Sequence, residues 1–363
     1  LKLPLLPSPP LSAVAPRPAF APGPLAAAPA MPLDPWEIEP RPQMFPGSAP
    51  RLLTASSDRT MRLWNLKSGE CLRVFAGHQK QVLCLDVDWD NLRAVSGSAD
   101  HTLMHWDVEN CLWLSTLVGH EDVVSCLSAD FPSRRVLSGS YDKDLRLWDL
   151  VTGKCQQVYK GHELSVCALS VDWAGGRALT GSTDKTLKLW DLATAQCVQT
   201  IEGHTGPVWA VNLDTEQAHN AISGSADRHV MLWDLRAGVC SRAMLQHQRQ
   251  VTCLDLDWNT FQAMSASVDR SVILWDLEMG EPIAKFEEHP GTVNCLSVDW
   301  LGRRMCSGAG PGDNCIRLWD FSDGFCEREM EGHDGAIWAL CADWASAHKA
   351  VADAQGPIGL DDD

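Results

Sequence analysis

Histidine, a serine or threonine, and aspartate recur in this chain at fixed separations. These are the residue types from which nucleophilic hydrolysis is built. An imidazole within reach of a hydroxyl could take its proton, and a carboxylate behind the ring would orient it. One such set is His162, Thr180 and Asp184, with Trp190 six residues further on. Four more are His78, Ser96, Asp100 and Trp106; His120, Ser138, Asp142 and Trp148; His204, Ser223, Asp227 and Trp233; and His247, Ser265, Asp269 and Trp275. A sixth is His289, Ser307, Asp313 and Trp319. An enzyme needs one such site, so this many copies in register argue for a repeated structural bond instead. The chain also has no Gly-rich phosphate loop and no zinc-type Cys or His spacing. The reading is therefore non-catalytic, with no cofactor and no metal.

The elements that must position these residues are legible in Gly161 to Leu192. Three short apolar runs, VCALSV, RALTGS and TLKLW, are separated by the turn clusters AGG and TDK. Strand-length runs punctuated in this way predict an antiparallel meander. A fourth run, QCVQTIEGH, ends at the next Gly-His. Trp-Asp stands at Trp106, Trp148, Trp190, Trp233, Trp275 and Trp319, with Trp64-Asn65 as a seventh, at separations of 42, 42, 42, 43, 42 and 44. Gly-His stands at His78, His120, His162, His204 and His333, and Gln246-His247 and Glu288-His289 fill the remaining places. Over roughly residues 51 to 351 the pattern resembles the WD-repeat family, whose repeats form four-stranded blades of a β-propeller. The resemblance implies an all-β fold, a single propeller of four-stranded antiparallel blades. It also implies that each set is a hydrogen-bonded tetrad joining the loop before the first strand, the second strand, the turn after it and the third strand. The chemistry is consistent, since one ring nitrogen can meet the carboxylate, the other the hydroxyl, and the indole N–H needs an acceptor.

The chain ends decide the blade count. The first copy has Thr54, Asp58 and Trp64 but no Gly-His. The last has His333 and a first strand, AIWALCADW, but Ala352, Gly356 and Asp362 stand where Ser, Asp and Trp are needed. Joined, the two ends supply one tetrad, His333, Thr54, Asp58 and Trp64. The expectation is six continuous blades and one composite blade, seven in all. The alternative is eight blades with a decayed last one, using HKAVADA as its second strand. Two extra residues in the AGPGD turn account for the separation of 44, and one before Ala221 for that of 43.

Composition divides the chain into 1–50, a Pro/Ala-rich segment; 51–356, the propeller; and 357–363, an acidic tail. The first 50 residues hold 15 of the 21 prolines, and Lys2, Arg17 and Arg41 offset Asp34, Glu37 and Glu39. Such a segment cannot pack a core and is expected to be disordered or polyproline-like. Its prolines interrupt every apolar run, so no signal peptide is expected, and Met31 offers a start. No apolar run is long enough to span a membrane. A net charge of −17 argues against direct nucleic-acid binding and suits solubility or basic partners. Among 14 cysteines there is no C-x-x-C. Cys71, Cys155, Cys197, Cys240 and Cys326 each follow their Trp by seven residues, and Cys84, Cys126, Cys253 and Cys295 follow their His by six. Periodic cysteines are expected to be small buried hydrophobes in a reducing, intracellular setting, cytoplasmic or nuclear.

An aspartate stands ten residues after every repeat histidine, and Trp89, Trp173, Trp258, Trp300 and Trp344 follow five of them. The aspartate should open the hairpin turn. The Trp should pack there or lie under an Arg of the returning strand, where Arg93, Arg135, Arg177 and Arg304 recur. For function, the resemblance implies a scaffold that binds peptides or protein surfaces on the face formed by the histidine loops and the turns after second strands. In those turns Arg59, His101, Lys143, Lys185, Arg228, Arg270 and Asn314 follow the aspartates. Arg228, Arg249 and Arg270 fall on neighbouring blades, where guanidiniums could hold a phosphate or carboxylate. Tyr141 and Thr183 add contact surface, and Trp209 and Trp338 are expected to pack. The reading is a scaffold for other proteins or peptides in a multiprotein assembly, as a phosphopeptide or acidic-motif reader, with no small-molecule substrate. The alternative is a regulatory or substrate-recruiting propeller of a larger enzyme, such as a ubiquitin ligase or kinase.

Overall fold

The computed structural model describes residues 50–215, 219–287 and 289–346. The proline-rich segment with Met31, the second-strand candidate at 348–354 and the acidic tail all lie outside the described residues. Within them, seven four-stranded antiparallel sheets form the blades of a propeller. Blade 1 is composite. Its first strand is Ile337–Ala342, and its others are Arg51–Ser56, Thr60–Asn65 and Cys71–Ala76. The chain ends pair in register Leu52↔Ala342, Leu53↔Cys341 and Thr54↔Leu340, and Arg51 meets Asp343 at 3.3 Å. Blades 2 to 7 are continuous, spanning 82–118, 124–159, 166–201, 208–245, 251–286 and 293–330.

Burial explains which run takes which place. Second strands such as Arg177–Ser182 (RALTGS) are buried after their first residue, because blades cover both faces. The small residues there let blades approach closely. A Cβ on Gly181 would lie 2.6 Å from Val208 Cγ1 of the next blade. Fourth strands lie outermost, with Trp113 and Val118 more than half exposed. The repeat tryptophans are the largest fully buried side chains.

Neighbouring blades are joined by polar bonds along their first strands. Thr252 donates to the Val293 carbonyl at 2.6 Å, and Asn294 Nδ2 to the Ile337 carbonyl at 3.1 Å. The buried carboxylates of Asp86 and Asp255 accept the N–H of Ala129 and Val298, both at 2.8 Å. Three of the tryptophans after the tenth-position aspartates, Trp173, Trp300 and Trp344, take part as well. Trp173 Nε1 donates to Ser128 at 3.2 Å, and Trp344 Nε1 to Ser297 at 3.0 Å, each in the preceding blade. The expectation of an arginine from the same blade's returning strand needs correction. The guanidiniums over Trp89 and Trp173 are those of Arg51 and Arg135, from the preceding blade, at 5.6 and 5.3 Å. Arg93 turns instead to Asp107 of its own blade, at 2.7 Å. The aspartates do open the hairpins, as Asp172 accepts the Gly175 N–H at 2.7 Å. Of the periodic cysteines on first strands, Cys84, Cys126 and Cys295 are buried and Cys253 is half-buried, while Cys71, Cys197 and Cys240, near the start of the outermost strands, are exposed.

In six blades the four repeat residues form one bonded chain. In blade 3, Trp148 Nε1 donates to Ser138 Oγ at 2.8 Å, which meets His120 Nε2 at 2.8 Å, and His120 Nδ1 meets Asp142 at 2.7 Å. His78, Ser96, Asp100 and Trp106 repeat this within 2.8–2.9 Å. His162, Thr180, Asp184 and Trp190 do so within 2.7–2.8 Å. His204, Ser223, Asp227 and Trp233 keep the same limits. His247, Ser265, Asp269 and Trp275 span 2.7–3.0 Å. Across the chain ends, His333 meets Thr54 at 2.8 Å and Asp58 at 2.7 Å, and Trp64 donates to Thr54 at 2.9 Å. Blade 7 departs from the expected set. Trp319 donates to Ser307 at 2.8 Å and His289 Nε2 meets Ser307 at 3.1 Å, but Asp313 pairs with Arg317 and not with His289. Orphaning one partner of such a buried chain costs roughly 1–3 kcal/mol, more than one bond contributes.

Two outcomes follow from this framework. Ending the chain at Met330 would leave Arg51–Ser56 as an unpaired edge, and the shortened protein should aggregate in light scattering; a stable monomer would contradict the composite closure. The second concerns pH. At Asp142 burial raises the pKa but is outweighed by the bonds from His120 and two backbone N–H groups, leaving it at about 2. Asp58, Asp100, Asp184, Asp227 and Asp269 are held well below the ordinary range in the same way. These groups are depressed in the folded state, so their contribution is full above 3.8 and lost as pH falls toward 2. Asp86 and Asp255 act in the opposite sense. Burial pushes both up to about 6, so their contribution is full below 3.8 and lost as pH rises through 6. Denaturant unfolding across pH should therefore give a stability maximum between about 4 and 6; a maximum above 7 would show that these carboxylates do not govern the profile.

Candidate partner-binding face

In blades 1 to 6 the tetrad ties the histidine loop to the turn after the second strand, so these segments ring one face of the propeller. The turn geometry is set locally. Asp100 Oδ1 accepts the Thr102 N–H at 3.0 Å, and the residue between them adopts a left-handed backbone. The φ angles there are 72° at Arg59 and His101, 77° at Lys143, 73° at Lys185, 76° at Arg228, 72° at Arg270 and 54° at Asn314. Side chains at such tight turn corners stand away from the sheet, and Arg59, Lys143, Lys185, Arg228 and Arg270 are all exposed.

Arg249 is exposed two residues after His247. Its carbonyl accepts the Ser267 hydroxyl at 3.4 Å, and the Gln250 carbonyl accepts the Val268 N–H at 3.1 Å. The Arg249 loop therefore lies against the Arg270 turn in blade 6, while Arg228 holds the corresponding turn of blade 5. Among the described residues none of these three guanidiniums forms an ion pair. Exposed turn cations recur round the ring at Arg59, Lys143 and Lys185, but blades 5 and 6 add Arg249 to their two turn arginines and so place three guanidiniums on neighbouring segments.

The first strands enclose a channel of about 780 Å³ opening on this face. Every described residue lining it is uncharged. Tyr141, Trp209 and Trp338 contribute aromatic surface, with Trp338 38% and Tyr141 36% exposed. Trp338, expected to pack, borders the channel exposed, whereas Trp209 is half-buried with its indole nitrogen buried. Each follows a fully buried residue, Val208 or Ile337, and alternation along the strand turns the next side chain to the channel. The equivalent places hold Leu83, Ser125, Cys167, Thr252 and Asn294, so the two tryptophans flank only blades 6 and 7 on their side of the ring. The signal available beforehand was their shared position five residues after His204 and His333. Arg59, Lys143, Lys185, Arg228, Arg249, Arg270 and Thr183 do not line the channel; they surround it.

Burial pushes the thiols of Cys126, Cys167 and Cys253 up to about 12, so they are neutral and poor nucleophiles at pH 7. The Ser125 and Thr252 hydroxyls are committed to carbonyls of the next blade. Among the described residues no helix is long and apolar enough to cross a membrane.

The family described as WD domain, G-beta repeat matches residues 69–107, 112–149, 153–191, 195–234, 238–276 and 280–320. Among curated proteins, 45 residues are 44% identical to Cell division control protein 4 of Saccharomyces cerevisiae, covering 12% of this chain and 6% of that protein. Another 36 residues are 50% identical to the human F-box and WD repeat domain containing protein 10B, covering 10% and 5%. A stretch of 45 residues is 42% identical to an uncharacterized WD repeat-containing protein of Schizosaccharomyces pombe, covering 12% and 15%. Each similarity is about one repeat long and spans a small part of the relative. Six matched repeats, set on seven four-stranded blades, place the chain in a family: it belongs to the WD domain, G-beta repeat proteins.

Proposed function

We propose that this chain is a non-catalytic scaffold that reads peptide segments on the face ringed by the tetrads. An apolar side chain of the partner enters the uncharged channel beside Trp338 and Trp209, and acidic or phosphorylated residues next to it meet Arg228, Arg249 and Arg270. The observation that carries this reading is the juxtaposition of an uncharged, aromatic-bordered channel with three exposed, unengaged guanidiniums on a protein of net charge −17. Charge complementarity favours an anionic partner segment at that edge and a neutral one at the channel. Aromatic residues at the mouth supply contact area at low entropic cost. A second reading has one observation in its favour. The matched stretch is a small fraction of each relative, and one of these carries F-box in its name, so a recruiting or regulatory propeller within a larger enzyme assembly fits as well.

The test is selection of a displayed random-peptide library on the full chain, beside the variant Arg228→Ala, Arg249→Ala, Arg270→Ala. Selected peptides should carry a large apolar residue flanked by Asp, Glu or phosphoserine. The triple variant should lose about tenfold or more in affinity, at charge-assisted bonds worth roughly 1.5–3 kcal/mol each. Its melting temperature should stay put, since Ala keeps the same backbone constraint at Arg228 and Arg270. Peptides without acidic residues, bound equally by both proteins, would sink the reading.

A further inference from the structure

Blade 7 differs from the other six at the carboxylate of its turn. Elsewhere that carboxylate takes two donors from the histidine loop, the ring Nδ1 and the N–H of the next residue. His120 and Glu121 supply Asp142 in this way, at 2.7 and 3.0 Å. In blade 7 the residue after His289 is Pro290, which has no N–H to give. Asp313 is instead gripped by Arg317, with Nη1 at 2.6 Å and Nη2 at 3.0 Å, while Arg317 Nε reaches Glu329 at 2.8 Å. His289 Nδ1 is left buried with no hydrogen-bond partner among the described residues.

Blade 1 holds the same parts in the other arrangement. Arg62 follows Asp58 by four residues, as Arg317 follows Asp313. Yet Asp58 stays on His333 Nδ1 at 2.7 Å and on the Asp334 N–H at 3.2 Å, with Arg62 no nearer than 4.0 Å. Three differences separate the blades, the first being the two extra residues in the blade 7 turn. Asp334 stands in place of Pro290, and the cross-strand neighbour of Arg62 is Val74 where that of Arg317 is Glu329. One trio of aspartate, histidine and arginine therefore supports two pairings, and small changes around it choose between them.

The turn that carries Asp313 is also part of the channel. It is two residues longer than its equivalents, and its Pro311 lines the mouth beside Thr292. Gly310 anchors it, donating to the Thr292 carbonyl at 2.7 Å, and a Cβ at Gly310 would fall 1.9 Å from Thr292 Oγ1. Asp313 lies close to the loop of His289, since a Cβ on Gly291 would be 2.8 Å from Asp313 Cβ. Burial, with the charge of Arg317, pushes His289 down to about 4, so its ring is neutral at pH 7.

We propose that the upper turn of blade 7 is a two-position lip of the channel: Asp313 exchanges between Arg317 and His289, and the exchange regulates binding at the mouth. The regulatory consequence rests on the peptide-reading function above; the exchange itself does not. The structure shows the Arg317 pairing. A ligand touching Pro311 would contact the two positions differently and so shift their populations.

The experiment is NMR of the full chain with labelled histidine at pH 7, comparing wild type with Arg317→Met and Pro290→Ala. Methionine already stands at this register in blades 2 and 5, as Met104 and Met231, so the fold accommodates it. Each variant should bring out a hydrogen-bonded, slowly exchanging Nδ1–H resonance of His289. The affinity for peptides selected on the face should shift by about threefold or more, within the range of coupling seen for residues away from the ligand. If the His289 resonance is unchanged in both variants, Asp313 has one position and the proposal falls. If the resonance changes but affinity does not, the lip does not regulate the mouth, and that part is overturned. If wild type binds no peptide, the peptide-reading function fails while the resonance still decides the exchange.

Discussion

One buried hydroxyl in each blade holds the rest of the structure to account. Ser or Thr on the second strand accepts the indole N–H of the third strand and meets the imidazole of the histidine loop, all out of water. None of these groups can lose its partner cheaply, so the loop, the strand, the turn and the tryptophan are placed together. That is why turns far from the core have defined backbones, including the left-handed residue after each aspartate. The exposed turns of this face are positioned by bonds buried beneath them.

The ring adds a second constraint. A four-stranded sheet has two edges and two faces, and the propeller satisfies the faces by stacking blades and protects the inner edges by bonding first strands to their neighbours. Thr252, Asn294, Asp86 and Asp255 each reach a backbone group of the next blade. Closure uses the same means at the chain ends, where Thr54 and His333 complete one tetrad across 279 positions of sequence. The buried carboxylates that serve this purpose are costly as charges, which is why they titrate near 6 while the tetrad aspartates titrate far lower.

Seven nearly equivalent blades leave function to the departures from equivalence. Three concentrate on one side: the basic edge of blades 5 and 6, the tryptophans of blades 5 and 1, and the rearranged turn of blade 7. Each has a local physical cause, a free guanidinium, a strand position facing the axis, and a proline that withholds a donor. All three lie on the arc from blade 5 to blade 1.

The repeat, the blade composition, the composite closure and six of the tetrads were legible in the sequence, because each depends on separations along one meander and on hydrogen-bonding types that pair in only one way. The turn positions also named Arg59, Lys143, Lys185, Arg228 and Arg270, which the structure exposes. What the sequence did not disclose depended on neighbours from other strands and blades. Trp338 read as a packing residue, yet strand alternation turns it to the channel, where it is exposed. The arginine over Trp173 came from the preceding blade, because blade stacking and not hairpin pairing brings the ring and guanidinium together. Pro290 and Arg317 were both visible as letters, yet the loss of the His289–Asp313 bond required the cross-strand register that sets Glu329 beside Arg317. Spacing within a repeat determined which bonds could form; the packing of one repeat on the next decided which of them did.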